Sequence, residues 1–453
     1  MKIVWTPVAL AAALVLGGQA HAQSAVDLQK LADQAMQAAA QAMKAASEAQ
    51  RAAEQAQRAL AQAQAAAATA TAAPAAAAVA APDNTAGGLT YQNGGNSLTL
   101  YGLIDVTLTR VNNVNAAGDT RIGYQSAPWF SGSRWGVTGK RDLGGDGLRA
   151  IFRLESEFVT NTGEEDAAGI LFGRDAWAGL ESDALGKFSF GRQNALGRDI
   201  AAGYLDPYGA AKASTAEGGG TNTNNFKQMI FYAGSATGTR YDRGMVWKKA
   251  FDNGLVAGLG YQFGGIAGQF SNGATATAAL AYNAGPVNVA GFATSAKING
   301  LSHDAYSVGG NFSSGMVRVN AGYFHYTAEQ GAAGAGLKRS DNGYTLSATF
   351  APGGKIDYQL GYQIMSATNA GITGAGATAD VLAAFKDTTG VAATATGKRK
   401  TLYGSAFYHL DRQTELYLAA DRLSLTDGYR VKAAGGFMSQ TELGLGLRLK
   451  FCT

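Results

Sequence analysis

Alternation of apolar and polar residues recurs through most of this chain and narrowly restricts what it can fold into. Every second residue from 443 to 451 is Leu or Phe, and the residues between them are Gly, Arg and Lys. Residues 356–364 alternate in the same way, with Ile, Tyr and Leu set against Asp, Gln and Gly. Because successive side chains of a strand point to opposite faces, each segment has one apolar and one wet face.

Sixteen segments of this kind can be read along the chain, each near the roughly 9–11 residues that a tilted membrane strand requires. The alternation therefore predicts an all-β transmembrane fold, a 16-stranded antiparallel β-barrel. The predicted strands are 98–110, 132–142, 147–159, 170–181, 186–193, 240–251, 254–264, 274–284, 286–297, 303–313, 316–327, 340–351, 355–367, 398–410, 414–427 and 439–451.

The connections between these strands alternate in length. Short turns separate pairs of strands, whereas longer segments lie at 111–131, 194–239, 370–397 and 428–438. Outer-membrane barrels have tight periplasmic turns and long outer loops, which places both ends of the barrel on the periplasmic side. The alternative is a soluble antiparallel β protein. Aromatic girdles favour the membrane; the candidate girdle residues near strand ends are Phe251, Tyr261, Tyr282, Tyr323, Tyr344, Tyr358 and Tyr417.

Three regions of different composition precede the barrel. Residues 1–22 read as a signal peptide, with Lys2, a short apolar core and an Ala-His-Ala cleavage site. Residues 23–64 are rich in Ala, Gln, Lys and Glu and predict a periplasmic α-helical segment. Its heptad positions, mostly Ala, suit a coiled coil among subunits, although a single solvated helix fits as well. Residues 65–96 form an Ala/Pro/Gly linker, and the predicted barrel occupies 97–453.

Several classes of chemistry have no support in the sequence. The net charge of +4 is too small to indicate a nucleic-acid partner. A single cysteine, Cys452, excludes a disulfide framework and a cysteine zinc site. His303, His325 and His409 lie on separate predicted strands, and neither a nucleophile elbow nor a phosphate-binding loop occurs. We therefore predict no enzyme, no catalytic residues, no metal and no cofactor.

Five sequence blocks between residues 97 and 193 resemble successive blocks of the Gram-negative trimeric general porins, and the resemblance extends over about 97–451. The blocks are SLTLYGLID at 97–105, SRWGVTG at 133–139 with DLGG at 142–145, LESEF at 154–158, GRDAWAGL at 173–180 and FGRQ at 190–193. This resemblance implies a 16-stranded barrel, a homotrimer in outer-membrane lipid, and a third outer loop, 194–239, that folds into the lumen as a constriction.

The resemblance also implies which charges line the constriction. Arg134, Arg174 and Arg240 match the basic wall, with Glu155 and Asp206 nearby as carboxylates. Charged groups of opposite sign across a narrow wet gap orient dipolar solutes, and the sign in excess sets ion preference. Simple alternation from Ala176 and Ala178 would point Arg174 at lipid, so an inward Arg174 requires a bulge.

The sequence thus predicts passive diffusion of small hydrophilic solutes and ions, with a mild preference for anions to which the lumen charges Arg448 and Lys450 contribute. A structural alternative is a tether in which the periplasmic helix reaches toward the cell wall and binds peptidoglycan. A trimeric adhesin would supply only about four strands per chain, so sixteen predicted strands speak against it. A sugar-specific channel would show an aromatic track along the lumen.

Overall fold

The structure, a computed structural model, describes residues 89–124, 129–145, 147–205, 238–330, 336–369, 394, 396–426 and 437–451. The predicted signal peptide (1–22), the alanine-rich helix (23–64) and the linker up to residue 88 lie outside the described residues, as do Asp206 and Cys452. The predictions for those residues stay predictions.

The described residues form eighteen antiparallel strands that belong to one sheet. They are β1 (Leu89–Asn93), β2 (Asn96–Val111), β3 (Arg121–Tyr124), β4 (Ser133–Asp142), β5 (Arg149–Phe158), β6 (Asp175–Ser182), β7 (Gly186–Asn194), β8 (Arg240–Ala250), β9 (Leu255–Gln262), β10 (Thr275–Ala284), β11 (Val287–Ile298), β12 (Leu301–Ser314), β13 (Val317–Glu329), β14 (Lys338–Phe350), β15 (Ile356–Thr368), β16 (Gly397–His409), β17 (Thr414–Thr426) and β18 (Ser439–Phe451).

Sixteen of these strands close into a barrel, as the alternation predicts. Each strand from β4 to β18 pairs with the next, and β18 returns to pair with β2. Neither β1 nor β3 is part of the ring, because each pairs with β2 alone. Strand β1 pairs with the part of β2 that lies beyond the last residue of β18. Strand β3 pairs with the part of β2 that lies beyond the first residue of β4. The segment 89–93, assigned to the linker from sequence, is therefore a strand.

The two faces of the barrel differ as the period of two requires. In β15, Leu360 and Tyr362 point outward and are exposed, whereas Gln359 and Gln363 point inward and are buried. Tyr282, Tyr344 and Tyr358 also project outward, as predicted for a girdle. The prediction for Tyr417 was wrong. Leu416 and Leu418 occupy the outward positions of β17, so parity turns Tyr417 inward, where it is 2% exposed.

Connections at the two ends of the barrel differ in length, as predicted. At one end no connection exceeds the six residues between β4 and β5, whereas the other end carries the segment 112–132, which includes β3, and the segments 159–174, 195–239, 369–396 and 427–438. One hairpin at the long-loop end departs from this rule. Asn299 and Gly300 alone connect β11 to β12, both with positive φ (51° and 80°), the geometry that a two-residue Asn-Gly turn adopts. The short-turn end corresponds to the periplasmic side.

Helical structure is scarce in the described part of the chain. None of the helices found there is long and apolar enough to cross a bilayer.

The outward face predicts a depth-dependent cost for a buried charge. Leu280 lies midway along β10 and is 59% exposed, and Ala276 lies on the same face near the long-loop end of that strand. We expect Leu280→Arg to lower the free energy of unfolding by about 2–4 kcal/mol and Ala276→Arg by about 0–1 kcal/mol. Denaturant unfolding in lipid vesicles measures both values. Equal costs at the two positions would contradict a lipid-facing outer surface.

Candidate constriction of the pore

The loop after β7 (195–239) is here called the inward loop. Its described start lies along the inner face of the barrel. This start comprises α1 (Leu196–Ile200) and a π-helical turn (Ala201–Leu205). Leu196, Ile200 and Leu205 are buried in one apolar cluster with inward residues of the wall. Those wall residues are mostly small or aromatic: Ala279, Ala281, Ala290, Phe292, Ala305 and Phe324. An apolar stripe on the wall thus receives the inward loop.

Two glycines make room for the deepest anchor of the inward loop. Gly309 and Gly322 are directly opposed on β12 and β13, beneath Leu205. A Cβ atom at Gly322 would lie 2.8 Å from Leu205 Cβ, and one at Gly309 would lie 2.9 Å from Leu205 Cγ. A larger residue at Gly322 would therefore have to displace Leu205 from the wall, whereas one at Gly309 would also meet the carbonyl oxygen of Ala321 at 2.3 Å.

Polar groups of the wall hold the carbonyl end of this helical segment. Arg318 Nη2 donates a 3.0 Å hydrogen bond to the carbonyl oxygen of Gly203, and Asn311 Nδ2 donates one to that of Tyr204 at 3.4 Å. The last carbonyls of a helix lack partners within it, and a cation is favourable at that end. Tyr204 Oη donates to Asn283 Oδ1 at 3.2 Å. The wall therefore holds the described helical segment, 196–205, at its C-terminal turn.

An ion pair at Asp199 holds α1 itself to the wall. Lys248 of β8 bonds the carboxylate of Asp199. Burial alone would raise the pKa of the Asp199 carboxyl, but the positive charges of Lys248 and Arg198 outweigh burial and hold that pKa below its usual range. Asp199 consequently stays ionised, and the bond to Lys248 keeps its charge-assisted strength.

The predicted basic wall gathers around one carboxylate, Glu155. Arg174 bonds Glu155, and Arg134 Nε lies 4.0 Å from Glu155 Oε1. Arg153 Nη2 lies 2.8 Å from Glu155 Oε2, which also accepts a 2.6 Å hydrogen bond from Tyr101 Oη. The alternation of β4 and β5 places these groups on the inner face, since Trp135 occupies the outward position between Arg134 and Gly136.

Arg174 faces inward without the bulge that alternation seemed to require. Strand β6 begins only at Asp175, whereas the sequence predicts a strand from residue 170. Arg174 therefore lies in the preceding loop, free of the strand's parity, and its Nη1 approaches Glu157 Oε2 to 2.5 Å. Arg240, the other described residue of the predicted basic wall, lies on a different strand from this group. Arg240 begins β8, half-buried and opposite Asn194, four strands further round the wall than Arg134.

A second loop also folds inward, and the sequence does not predict it. Trp129 and Phe130, at the end of the connection from β3 to β4, are buried against Tyr403, Phe407 and Tyr417. The ring centroids of Phe130 and Phe407 lie 4.7 Å apart, and those of Phe130 and Tyr417 lie 4.8 Å apart. Two large aromatic residues in an outer loop, directly before the SGSR sequence, are the signal that could have indicated this packing.

This second inward segment covers one of the predicted lumen charges. Arg448 faces inward, as its parity predicts, but it is fully buried, bonds Glu415 and donates a 3.1 Å hydrogen bond to Ser131 Oγ. Its guanidinium carbon also lies 5.6 Å from the Phe130 ring centroid. Lys450, two residues later on the same face, is half-buried. Arg448 thus holds the loop end to the wall rather than contacting solvent.

Sequence reasoning missed two participants in the basic wall, Tyr101 and Arg153. Arg153 Nε donates a 2.6 Å hydrogen bond to Tyr101 Oη, and its guanidinium lies 5.0 Å from the Tyr101 ring centroid. Both residues belong to sequence blocks that carry the family resemblance or adjoin them. Parity counting from Glu155 would have identified Arg153 as a lumen residue.

A closed 16-stranded barrel with an inward loop and an arginine-rich inner wall defines an outer-membrane channel protein. A family model described as "Gram-negative porin" matches residues 63–428. The chain belongs to this family.

Individual relatives agree with that assignment. Over 276 residues the chain is 29% identical to an outer membrane porin protein of Bordetella pertussis, a match covering 58% of this chain and 61% of the relative. The chain thus spans about three fifths of the length of that curated relative.

Solved structures of low sequence identity share the fold. The anion-selective porin from Comamonas acidovorans superimposes with a TM-score of 0.61 at 23% identity, covering 79% of this chain and all of that chain. In vitro folded OmpT of Vibrio cholerae gives a TM-score of 0.55 at 15% identity, covering 80% of this chain and all of that chain. OmpF of Salmonella typhi gives 0.52 at 16% identity, again with 80% and complete coverage.

The close packing of Leu205 on Gly322 predicts that adding one methyl group at Gly322 destabilises the protein. We expect Gly322→Ala to lower the free energy of unfolding by about 1–3 kcal/mol, because its Cβ would overlap Leu205, and to change single-channel conductance as the inward loop shifts. Gly343→Ala is the matched control, since a Cβ there meets its nearest neighbour at an ordinary 3.6 Å. Denaturant unfolding and bilayer recording measure both variants. Identical behaviour of the two variants would refute the proposed anchoring.

Proposed function

We propose that this porin forms a water-filled pore through which small hydrophilic solutes and ions diffuse passively across the outer membrane, with a mild preference for anions. The excess of positive charge on one inner wall carries this proposal. Eight cations and six carboxylates lie on the inner face of β4–β8, on α1 or in the loop before β6, counted over the residues that the structure describes there. The cations are Arg134, Lys140, Arg149, Arg153, Arg174, Lys187, Arg198 and Lys248, and the carboxylates are Asp142, Glu155, Glu157, Asp175, Glu181 and Asp199.

A fixed excess of one sign in a narrow wet gap raises the local concentration of the opposite mobile ion. Ionic screening over about 8–10 Å at physiological salt limits how far this excess acts across the lumen. Most of these cations also have carboxylate partners, which reduces their field further. The expected preference is therefore mild. The Comamonas acidovorans relative, which is described as anion-selective, supports the same sign.

The surroundings of the pore follow from the outer face. The apolar outward band suits outer-membrane lipid, and the family resemblance supports a homotrimer. The alanine-rich segment 23–64 stays a predicted periplasmic helix, with a trimeric coiled coil as one possible form. No described contact favours the alternative of a structural tether to peptidoglycan, and the family match favours the channel.

Reversal potentials across a KCl gradient test the charge argument. Wild-type pores should pass chloride more readily than potassium. Arg174→Gln leaves Glu155 and Glu157 without one of their partners. We therefore expect this variant to lower the chloride-to-potassium permeability ratio, by about twofold given partial screening.

Arg243→Gln is the matched control for that measurement. Arg243 is exposed at the long-loop end of β8, where its guanidinium bonds the carbonyl oxygens of Phe263 and Gly264. Its loss changes the net charge equally but leaves the inner wall intact. Cation preference in the wild type would contradict the proposed selectivity, and the absence of stepwise conductance would contradict the pore itself.

A further inference from the structure

Lys187 is an inward-facing cation near the periplasmic end of the barrel. It is the second residue of β7, and its neighbours define its face: Phe188 is exposed on the outer surface, while Ser189 is buried inside. The Lys187 ammonium lies 3.8 Å from the centroid of the Trp177 ring. This contact places the positive charge against an aromatic face that lines the inner wall.

Trp177 connects Lys187 to the basic wall. Trp177 is directly opposite Arg153 in the pairing of β5 with β6, so the two side chains share the inner face. Arg153 in turn lies over Tyr101. Rings and cations therefore alternate along the inner face from Glu155 toward the periplasmic end, in the order Tyr101, Arg153, Trp177 and Lys187.

Lys187 differs from the neighbouring cations in its ion pairing. Arg153 lies 3.5 Å from Asp175, and Lys248 bonds Asp199. Glu181, the cross-strand partner of Lys187, lies 3.5 Å from Arg149 instead. Among the described residues, no carboxylate oxygen lies within 4.0 Å of the Lys187 ammonium.

The other cross-strand neighbour of Lys187 raises the electrostatic cost of leaving its charge without a carboxylate partner. Lys187 pairs directly with Lys248 of β8, and like charges in opposed positions of neighbouring strands repel one another. A cation that faces another cation, and has no carboxylate of its own, is compensated best by a mobile anion.

We propose that Lys187, together with Arg153 and Trp177, forms an oxyanion site on the periplasmic side of the Arg134–Arg174 wall. Its ligand is the carboxylate or phosphate group of a permeating solute. Lys187 supplies a compact point charge, and Arg153 supplies the second donor. An anion that leaves the arginines around Glu155 meets this site next, and successive weak sites permit both entry and release.

This inference rests on the proposed function, because it requires a solute-filled lumen. Bilayer recording of the full chain in KCl, with inorganic phosphate or acetate added as the competing oxyanion, tests it. Both anions should reduce the chloride current of the wild type, and phosphate should act at the lower concentration because it carries more charge. We expect Lys187→Gln to raise the half-blocking phosphate concentration by about threefold or more.

Two further variants separate the site from a general effect of charge. Lys249→Gln removes the adjacent lysine, which points outward and bonds the carbonyl oxygen of Ala184, and should leave the block unchanged. Lys187→Arg keeps the charge and should retain the block. Conducting channels with an unchanged block in Lys187→Gln, or a wild type that neither anion blocks, would overturn the site. A cation-selective or non-conducting wild type would instead overturn the proposed function.

Discussion

The pairing of the first and last barrel strands is the interaction on which the rest of the molecule depends. In hydrocarbon every backbone amide and carbonyl must find a partner within the protein, so an open sheet edge cannot face lipid. The edges of β2 and β18 meet over the register from Val111↔Glu442 to Gly102↔Phe451. At Gly102 the Phe451 ring occupies the space of an absent side chain, since a Cβ there would lie 2.0 Å from Phe451 Cζ. Closure therefore depends on side-chain size as well as on register.

Closure of the barrel also determines where charged and polar side chains can lie. Because the outer face is apolar, charged groups and folded-in loops lie inside the cylinder. The described part of the inward loop lies against β8–β13, and the Trp129–Phe130 segment lies against β16–β18. The arginines around Glu155 lie on β4–β6, between these two contact regions in the order of the ring. Ala201 of the inward loop is buried in the same cluster as Trp129 and Phe130, so the two segments restrict the inner space together, and the basic wall faces what remains.

Alternation predicts the strands well because every barrel strand has one face toward hydrocarbon and the other toward the polar interior. The last strand was predicted at its observed limits, 439–451. The prediction for β6 began five residues early, because the apolar residues Ile170, Leu171 and Phe172 belong to a loop, where Phe172 lies near Trp135. Strand β1 was missed because its five residues alternate too briefly to be distinguished from a linker.

The candidate site is harder to predict from the sequence than the strands are. The family resemblance named Arg134, Arg174 and Glu155 for one wall, and their side chains lie together in the structure, although parity alone pointed Arg174 at lipid. Neither parity nor resemblance could show that Arg448 is covered by Trp129, Phe130 and Ser131. Such coverage depends on how a loop fills the lumen, and no local periodicity encodes it. The unpaired state of Lys187 is equally non-local, because it depends on Arg149 engaging Glu181.

Tryptophan quenching by brominated lipid tests the closed cylinder most directly. Trp135 is 37% exposed on the outer face, whereas Trp129 is fully buried inside. In vesicles, a variant that keeps only Trp135 should be strongly quenched by lipids brominated in their acyl chains, and one that keeps only Trp129 should be quenched weakly. Equal quenching of both, or fluorescence of Trp135 unaffected by the brominated lipid, would contradict a cylinder with hydrocarbon outside and solvent inside.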